Sequence, residues 1–221
     1  MNDPSKIPQA IRALEAAWLG NTDQPLLSLM SMLEARGLTW QSSIDETISI
    51  CTALAQEFPG RLTGTPDGYA ILCESPDREF LITTTHVIVR GEAPTAWEYS
   101  SLMRAEVGLP LRIADAAGAE HKFGVVRRIT AMGERRYQVL IFADGLGLGC
   151  RTPDGQTTLW LPQRRDTRTW QGRTGELQDG ILRSELGELR VATELLVDVP
   201  LTPQETSRRG ALGASLRKTS R

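Results

Sequence analysis

The sequence predicts an α+β protein, with an N-terminal three-helix segment followed by a mostly antiparallel β-sheet or a partly open barrel body. Three observations predict this class. Apolar residues recur at helical spacing through the first 60 residues, and the period becomes alternating from residue 68. The final 16 residues carry five basic side chains, no acidic one and little apolar mass. We therefore predict a helical domain at 1–60, a mostly β domain at 61–200 and a basic flexible tail at 201–221.

Two amphipathic helices are predicted before residue 40. The first carries an apolar stripe from Ile7 to Trp18 and ends at Gly20. Pro25 opens the second helix, a position where a proline loses no needed hydrogen bond. Gly37 follows the last apolar residue of that helix and is a natural C-terminal cap.

A third helix is predicted between Ser43 and Phe58. Glu46 follows Ser43 at the spacing of a capping box, in which each side chain bonds a free N–H of the first turn. Pro59-Gly60 ends the helix.

Alternating apolar and polar residues then indicate a succession of strands. Residues 162–180 are polar, arginine-rich and punctuated by glycine, so we expect a long surface loop there. Residues 187–199 are ambiguous between strand and helix, and their valines favour a strand. The other predicted strands are 69–74, 79–84, 86–90, 97–107, 111–114, 120–126, 125–130, 136–143 and 157–161.

Composition favours a cytoplasmic protein. Cys51, Cys73 and Cys150 are odd in number and far apart in apolar surroundings, which predicts buried free thiols without a disulfide framework or zinc site. No apolar run approaches the roughly 18–20 residues of a membrane span, and the N-terminus does not resemble a signal peptide. We therefore expect no membrane partner. Only three of the 25 basic residues are lysines, a bias that favours a bacterial source with a GC-rich genome.

The sequence shows no spacing typical of a catalytic or metal site. His86 lies in a valine-rich strand and is interpreted as partly buried, whereas His121 is interpreted as solvated. No serine occupies a nucleophile elbow, and no His or Cys pair has metal-ligand spacing. The glycine-rich run 144–149 is followed by another turn instead of the helix a dinucleotide site requires, which favours a simple β connection or bulge. We expect no catalytic residue, metal or cofactor, and leave open a site that assembles only in the fold.

Charge is unevenly distributed along the chain. Residues 1–60 and 61–120 each have a net charge of −4, residues 121–173 have +6, and residues 174–221 are neutral overall. Arginines can neutralise phosphates and stack on bases, and an indole can also stack. We therefore select the basic side chains of the positive segment, with one tryptophan among them, as candidates for binding nucleic acid or an acidic partner. These residues are Arg127, Arg128, Arg135, Arg136, Arg164, Arg165, Arg168, Trp170 and Arg173.

Two further groups are candidates for contact with a partner. In the tail, the candidate docking residues are Arg208, Arg209, Arg217 and Lys218. Trp18, Trp40 and Trp97 are interpreted as core residues, with interface anchors as the alternative.

Residues 69–126 resemble bacterial PH-like or GRAM-like barrels. The motifs that carry the resemblance are Phe80-Leu81-Ile82-Thr83, then His86-Val87-Ile88-Val89, then Trp97-Glu98-Tyr99-Ser100-Ser101-Leu102. The resemblance implies a small, curved antiparallel sheet that acts as a binding scaffold.

These features favour a non-catalytic protein-interaction or scaffold subunit of a bacterial cytoplasmic complex. The alternative is a nucleic-acid-binding accessory protein that uses the arginine-rich face 121–173 and the basic tail. The sequence leaves open the partner's identity, the oligomeric state and the pathway.

Overall fold

The computed structural model describes residues 3–164, 166–175 and 177–202. In these residues, three α-helices precede a body of β-strands: α1 is Ile7–Leu19, α2 is Leu26–Ala35 and α3 is Ile44–Glu57. The α+β class, the N-terminal placement of the helices and the barrel-like β body are therefore confirmed. None of the helices in the described part of the chain is both long and apolar enough to cross a membrane.

The ends of α2 and α3 follow from their capping residues. Ser43 Oγ accepts a hydrogen bond from Glu46 N at 3.2 Å, and Glu46 Oε2 accepts one from Ser43 N at 2.7 Å, so the predicted capping box is present. Gly37 adopts φ 99° after α2, and its N–H donates to Glu34 O at 2.9 Å. Only glycine adopts this conformation readily, which is why the helix ends there.

The helices share a small core of their own. α1 packs closely along α3. The fully buried side chains of this core come from all three helices and are Ala17, Leu29, Leu33, Cys51 and Leu54.

The first sheet is a closed six-stranded barrel. Strands β2 to β7 follow one another around it, and β7 returns to pair with β2. The pairings of β2 with β3 and β7, and of β6 with β5 and β7, are antiparallel. A short β1 pairs outside the ring with the C-terminal part of β5. The strands are β1 Arg61–Gly64, β2 Tyr69–Glu74, β3 Arg78–Ile82, β4 His86–Arg90, β5 Thr95–Glu106, β6 Pro110–Asp115 and β7 Glu120–Ala131.

Closure of the barrel pairs the backbone N–H and C=O groups that the edge strands of an open sheet would leave unpaired. The interior is filled by apolar side chains from all six strands, with Phe80, Ile82, Ile113 and Ile129 among those fully buried. Trp97 and Phe123 pack against this core while remaining partly exposed.

The second sheet is open and forms a half-barrel. Its strands lie in the order β11, β10, β9, β8, β13, β12. Its core contains Leu140, Phe142, Leu159 and Leu182. The strands are β8 Tyr137–Phe142, β9 Leu148–Arg151, β10 Gln156–Pro162, β11 Thr167–Arg173, β12 Ile181–Ser184 and β13 Gly187–Val197.

One sequence-based expectation in this region is wrong. Residues 162–180 were expected to form a long surface loop, but Thr167–Arg173 pairs along β10 over seven residues, from Thr167 opposite Pro162 to Arg173 opposite Gln156. This strand was not predicted because its composition is polar, and within it only Trp170 supplies an apolar side chain to the core. The strand preference for 187–199 is confirmed by β13.

Contacts group the chain into two compact units. The first comprises residues up to Val89 together with Ala96–Glu134, and thus contains the helices and the closed barrel. The second comprises Arg90–Thr95 and the chain from Arg135 onward, with the half-barrel. In the second unit, Leu201 is fully buried and its carbonyl accepts from Gly91 N at 3.2 Å.

Candidate protein-interaction surface

An apolar strip lies exposed along α1. Ile7, Ile11 and Trp18 recur at the spacing of one helix face, and Leu19 adjoins them. Ile11 is 60% exposed and Trp18 is 40% exposed. We call these four residues the α1 apolar face.

The side chains of the α1 apolar face do not pack in the helical core, although they belong to the apolar stripe from which α1 was predicted. The core side of α1 is formed by Ala17, which is fully buried, with Ala13 and Leu14 packed beside it. The apolar part of the helix is therefore wider than the contact with α3 requires. The excess remains in contact with water, which is unfavourable unless another surface covers it.

A shallow cleft of about 570 Å³ runs along this face. Ile11, Leu14, Trp18 and Leu19 line it, and Glu15 is the one ionisable side chain that the described residues contribute to its wall. The Trp18 indole is held in place because its Nε1 donates to Gln24 O at 3.3 Å. The cleft thus combines a fixed aromatic ring, aliphatic side chains and a single negative charge.

Further apolar side chains are exposed in the same helical segment. Leu27 at the start of α2 is 81% exposed, and Leu26 beside it is also exposed. Trp40, between α2 and α3, is fully exposed. The interpretation of Trp18 and Trp40 as core residues is therefore wrong, because the helices bury small and branched residues and leave both indoles outside.

The arginines selected from the sequence fall into different surroundings. On β7, Arg127 is exposed, whereas Arg128 Nη2 donates to Asp23 Oδ2 at 3.0 Å and the guanidinium lies 5.7 Å from the Phe58 ring centre. Arg128 therefore has a structural role within the first unit. These two arginines belong to the first unit, and the other candidates that the structure describes belong to the second.

In the second unit, Arg164, Arg168 and Arg173 are exposed, the last two on the edge strand β11. Arg135 and Arg136 precede β8, and Arg136 N donates to Val197 O at 3.0 Å.

Trp170 is half-buried against the second core, and its indole lies over Gly172, where a Cβ would approach the ring to 2.4 Å. Arg165 and the tail residues Arg208, Arg209, Arg217 and Lys218 lie outside the described residues.

The cysteines are all buried, as their apolar surroundings predict, and none is paired. Burial raises the pKa of the Cys73 thiol to about 12, so it is protonated and a poor nucleophile at neutral pH. In the described ranges, no group of three or more His, Cys, Asp or Glu side chains is arranged to hold a metal ion.

Comparison with family models, with curated protein sequences and with solved structures finds no match to this chain.

Proposed function

We propose that this protein is a non-catalytic interaction or scaffold subunit that binds a partner protein through the α1 apolar face. The observation that supports the proposal most directly is the exposure of Ile11 and Trp18 on a helix that already packs against the helical core through Ala17. Single exposed apolar residues are ordinary, but a continuous apolar strip is typical of protein–protein contact surfaces.

The occupant we propose is an amphipathic helix of the partner. A cleft between apolar side chains of one helix accepts side chains spaced at one helical turn, which is the usual way a helix binds a groove. Glu15 lies in the wall of the cleft, and the first 60 residues have a net charge of −4. We therefore expect the partner helix to carry a lysine or arginine beside its apolar residues, since complementary charge favours encounter and fixes register.

Trp18 is expected to supply much of the binding energy. Tryptophan is enriched among the residues whose truncation weakens interfaces most, because a large rigid ring buries much area at small entropic cost. The bond from Trp18 Nε1 to Gln24 O fixes the ring before binding. Truncation to alanine should therefore cost about 2 kcal/mol or more of binding free energy.

The test is affinity capture of the tagged protein from nuclease-treated lysate of its native host. The wild type is compared with a double variant, Ile11→Glu and Trp18→Ala. We expect the wild type to retain a defined partner that the double variant loses. Circular dichroism should show an unchanged fold, because both positions are exposed and both replacements suit a helix.

Two controls sharpen the result. Met103→Glu places the same charge on an exposed apolar position of β5 and should keep the partner. Glu15→Lys reverses the charge of the cleft and should weaken capture if the partner helix is basic. Equal capture by the wild type and the double variant would contradict the proposal.

The second candidate function is nucleic-acid binding in the second unit. The observation that favours it is the exposure of Arg168 and Arg173 on an edge strand, with Arg164 just before it. The resemblance of residues 69–126 to PH-like or GRAM-like barrels stays a prediction, and under it the closed barrel would act as the scaffold that carries the α1 apolar face.

A further inference from the structure

A second pocket, unrelated to the α1 apolar face, opens at one end of the closed barrel. It has a volume of about 690 Å³, within the range of small-ligand sites. Trp97 and Glu98 of β5 form one side, and His121 and Phe123 of β7 form the other. Asp115, at the end of β6, completes the wall.

Aromatic rings form the base of this pocket. The Phe123 ring lies 6.0 Å from Trp97 at an interplanar angle of 29°, and 6.5 Å from the His121 imidazole at 24°. Phe80, which is fully buried, supports Phe123 from inside the barrel at 4.8 Å. Trp97 and Phe123 also pack against the barrel core, so their faces are held in place before any ligand arrives.

Two acidic residues, Asp115 and Glu98, line the pocket. Asp115 Oδ2 accepts from His121 Nε2 at 2.8 Å, and its Oδ1 accepts from Ala119 N at 2.8 Å. These bonds lower the pKa of Asp115, with the bond from His121 contributing most, so the carboxylate is ionised. The second carboxylate belongs to Glu98, whose side chain is 67% exposed.

The histidine beside Glu98 does not balance its charge. His86 Nε2 lies 4.0 Å from Glu98 Oε1, but His86 is only 5% exposed. Burial lowers the pKa of His86, an effect that the Glu98 carboxylate opposes less strongly, so the imidazole is neutral at neutral pH. Lys122, which separates His121 from Phe123 along β7, alternates to the other face of the strand.

We propose that this pocket binds an organic cation, an alkylammonium or guanidinium group held over the Trp97 and Phe123 rings and facing the Glu98 and Asp115 carboxylates. The faces of aromatic rings carry negative potential and attract cations, tryptophan most strongly. Carboxylates that line the pocket repel phosphates and other anions. A neutral ring could also stack on these aromatics, but it would gain nothing from the two negative charges.

The probe is choline, titrated into the full-length protein by isothermal calorimetry. Its comparison compound is neohexyl alcohol, the uncharged isostere in which carbon replaces the nitrogen. We expect choline to bind at least about tenfold more tightly, a ratio equivalent to about 1.4 kcal/mol. A capped arginine amide is titrated in parallel. If the arginine amide binds more tightly than choline, the natural ligand is the basic side chain of a peptide. If choline binds more tightly, the natural ligand is a free ammonium compound.

Paired variants assign the binding to this pocket. Trp97→Leu should weaken choline binding at least about tenfold, whereas Trp40→Leu, at a fully exposed tryptophan, should leave it unchanged. Glu98→Gln should weaken choline but not neohexyl alcohol, and Glu74→Gln is its exposed control. Glu98→Gln also keeps the test decisive if loss of Trp97 unfolds the barrel, because Glu98 has an exposed side chain.

Equal binding of choline and its isostere, without tighter binding of the arginine amide, would overturn the proposal, as would the absence of saturable binding by all three compounds. An unchanged choline affinity in Glu98→Gln would overturn it as well. None of these outcomes bears on the α1 apolar face, because capture of a protein partner is measured separately.

Discussion

Arg128 Nη2 donates to Asp23 Oδ2 across 3.0 Å and thereby joins β7 of the barrel to the segment between α1 and α2. The guanidinium also lies over the Phe58 ring. Each side chain of the ion pair is about one-third exposed, so water screens the attraction. We expect Arg128→Ala to lower the free energy of unfolding by about 1 kcal/mol, measured by urea denaturation.

Arg127 is the matched control for this prediction. It is the neighbouring residue on the same strand and is exposed. Arg127→Ala should change the free energy of unfolding by no more than about 0.5 kcal/mol. Equal losses in the two variants would mean that arginine stabilises β7 through its strand preference and not through Asp23.

Gly20 is required by a close approach between two chain segments. A Cβ at Gly20 would lie 1.7 Å from Phe58 O, a backbone atom that cannot move without shifting the end of α3. The φ of −76° at Gly20 suits alanine, so the contact alone decides the outcome. We expect Gly20→Ala to lower the free energy of unfolding by about 2 kcal/mol or more, measured by urea denaturation.

Gly91→Ala is the control for Gly20→Ala. In the described part of the chain, and apart from its two chain neighbours, no heavy atom lies within 4 Å of a Cβ built at Gly91. The replacement should leave the unfolding midpoint nearly unchanged. If Gly20→Ala were equally harmless, α1 and α3 would have to pack less closely at this end than the structure shows.

Features that depend on residues close together in the sequence could be predicted from the sequence. The capping box of Ser43 and Glu46 and the strand around Val139 carry local signals, in side-chain spacing and in apolar alternation. Closure of the barrel has no such signal, since it depends on pairing β2 with β7, as in Ile71 opposite Ile129. The strand β11 was missed for the same reason, because its pairing with β10 defines it more than its composition does.

The candidate sites also combine features that have a local sequence signal with features that only the fold creates. The sequence indicates which side chains are arginines but not that Arg128 is bound to Asp23 whereas Arg127 is exposed. Helical spacing predicted the stripe from which the α1 apolar face comes, but it does not show which part of the stripe α3 covers. The pocket formed by Trp97 and Phe123 could not be anticipated, because strands distant in sequence bring these rings together.

The alternative function makes a prediction about salt. If β11 binds nucleic acid, Arg168→Ala with Arg173→Ala should weaken binding of a labelled single-stranded oligonucleotide across sequences. The slope of log affinity against log salt should also fall by about 0.7 for each phosphate contact removed. Fluorescence anisotropy over a salt series measures both quantities.

Arg183 provides the control in the same unit. It is exposed, but its Nε donates to Glu188 Oε1 at 3.1 Å, so its charge is already partnered. Arg183→Ala should leave the affinity and the salt slope nearly unchanged. Equal effects of all these replacements would indicate a response to net charge alone and would contradict a site at β11.

Burial of His86 predicts that stability falls with acid. Desolvation lowers the pKa of the folded imidazole below its ordinary value of 6.5, with the Glu98 carboxylate opposing the shift. Below about pH 6.5 the unfolded chain therefore takes up a proton that the folded protein resists, so the free energy of unfolding decreases as the pH falls toward the folded pKa. Above pH 6.5 both states are neutral at this residue, and its contribution is constant.

Urea denaturation at about pH 7.5 and about pH 5.5 measures this effect. The variant His86→Asn removes the titrating group while its amide can replace His86 Nδ1 in the bond to Thr85 Oγ1, which is 2.9 Å long. We expect the variant to lose less stability than the wild type between the two pH values. An identical decline in wild type and His86→Asn would show that His86 accepts its proton as readily in the fold as in the unfolded chain.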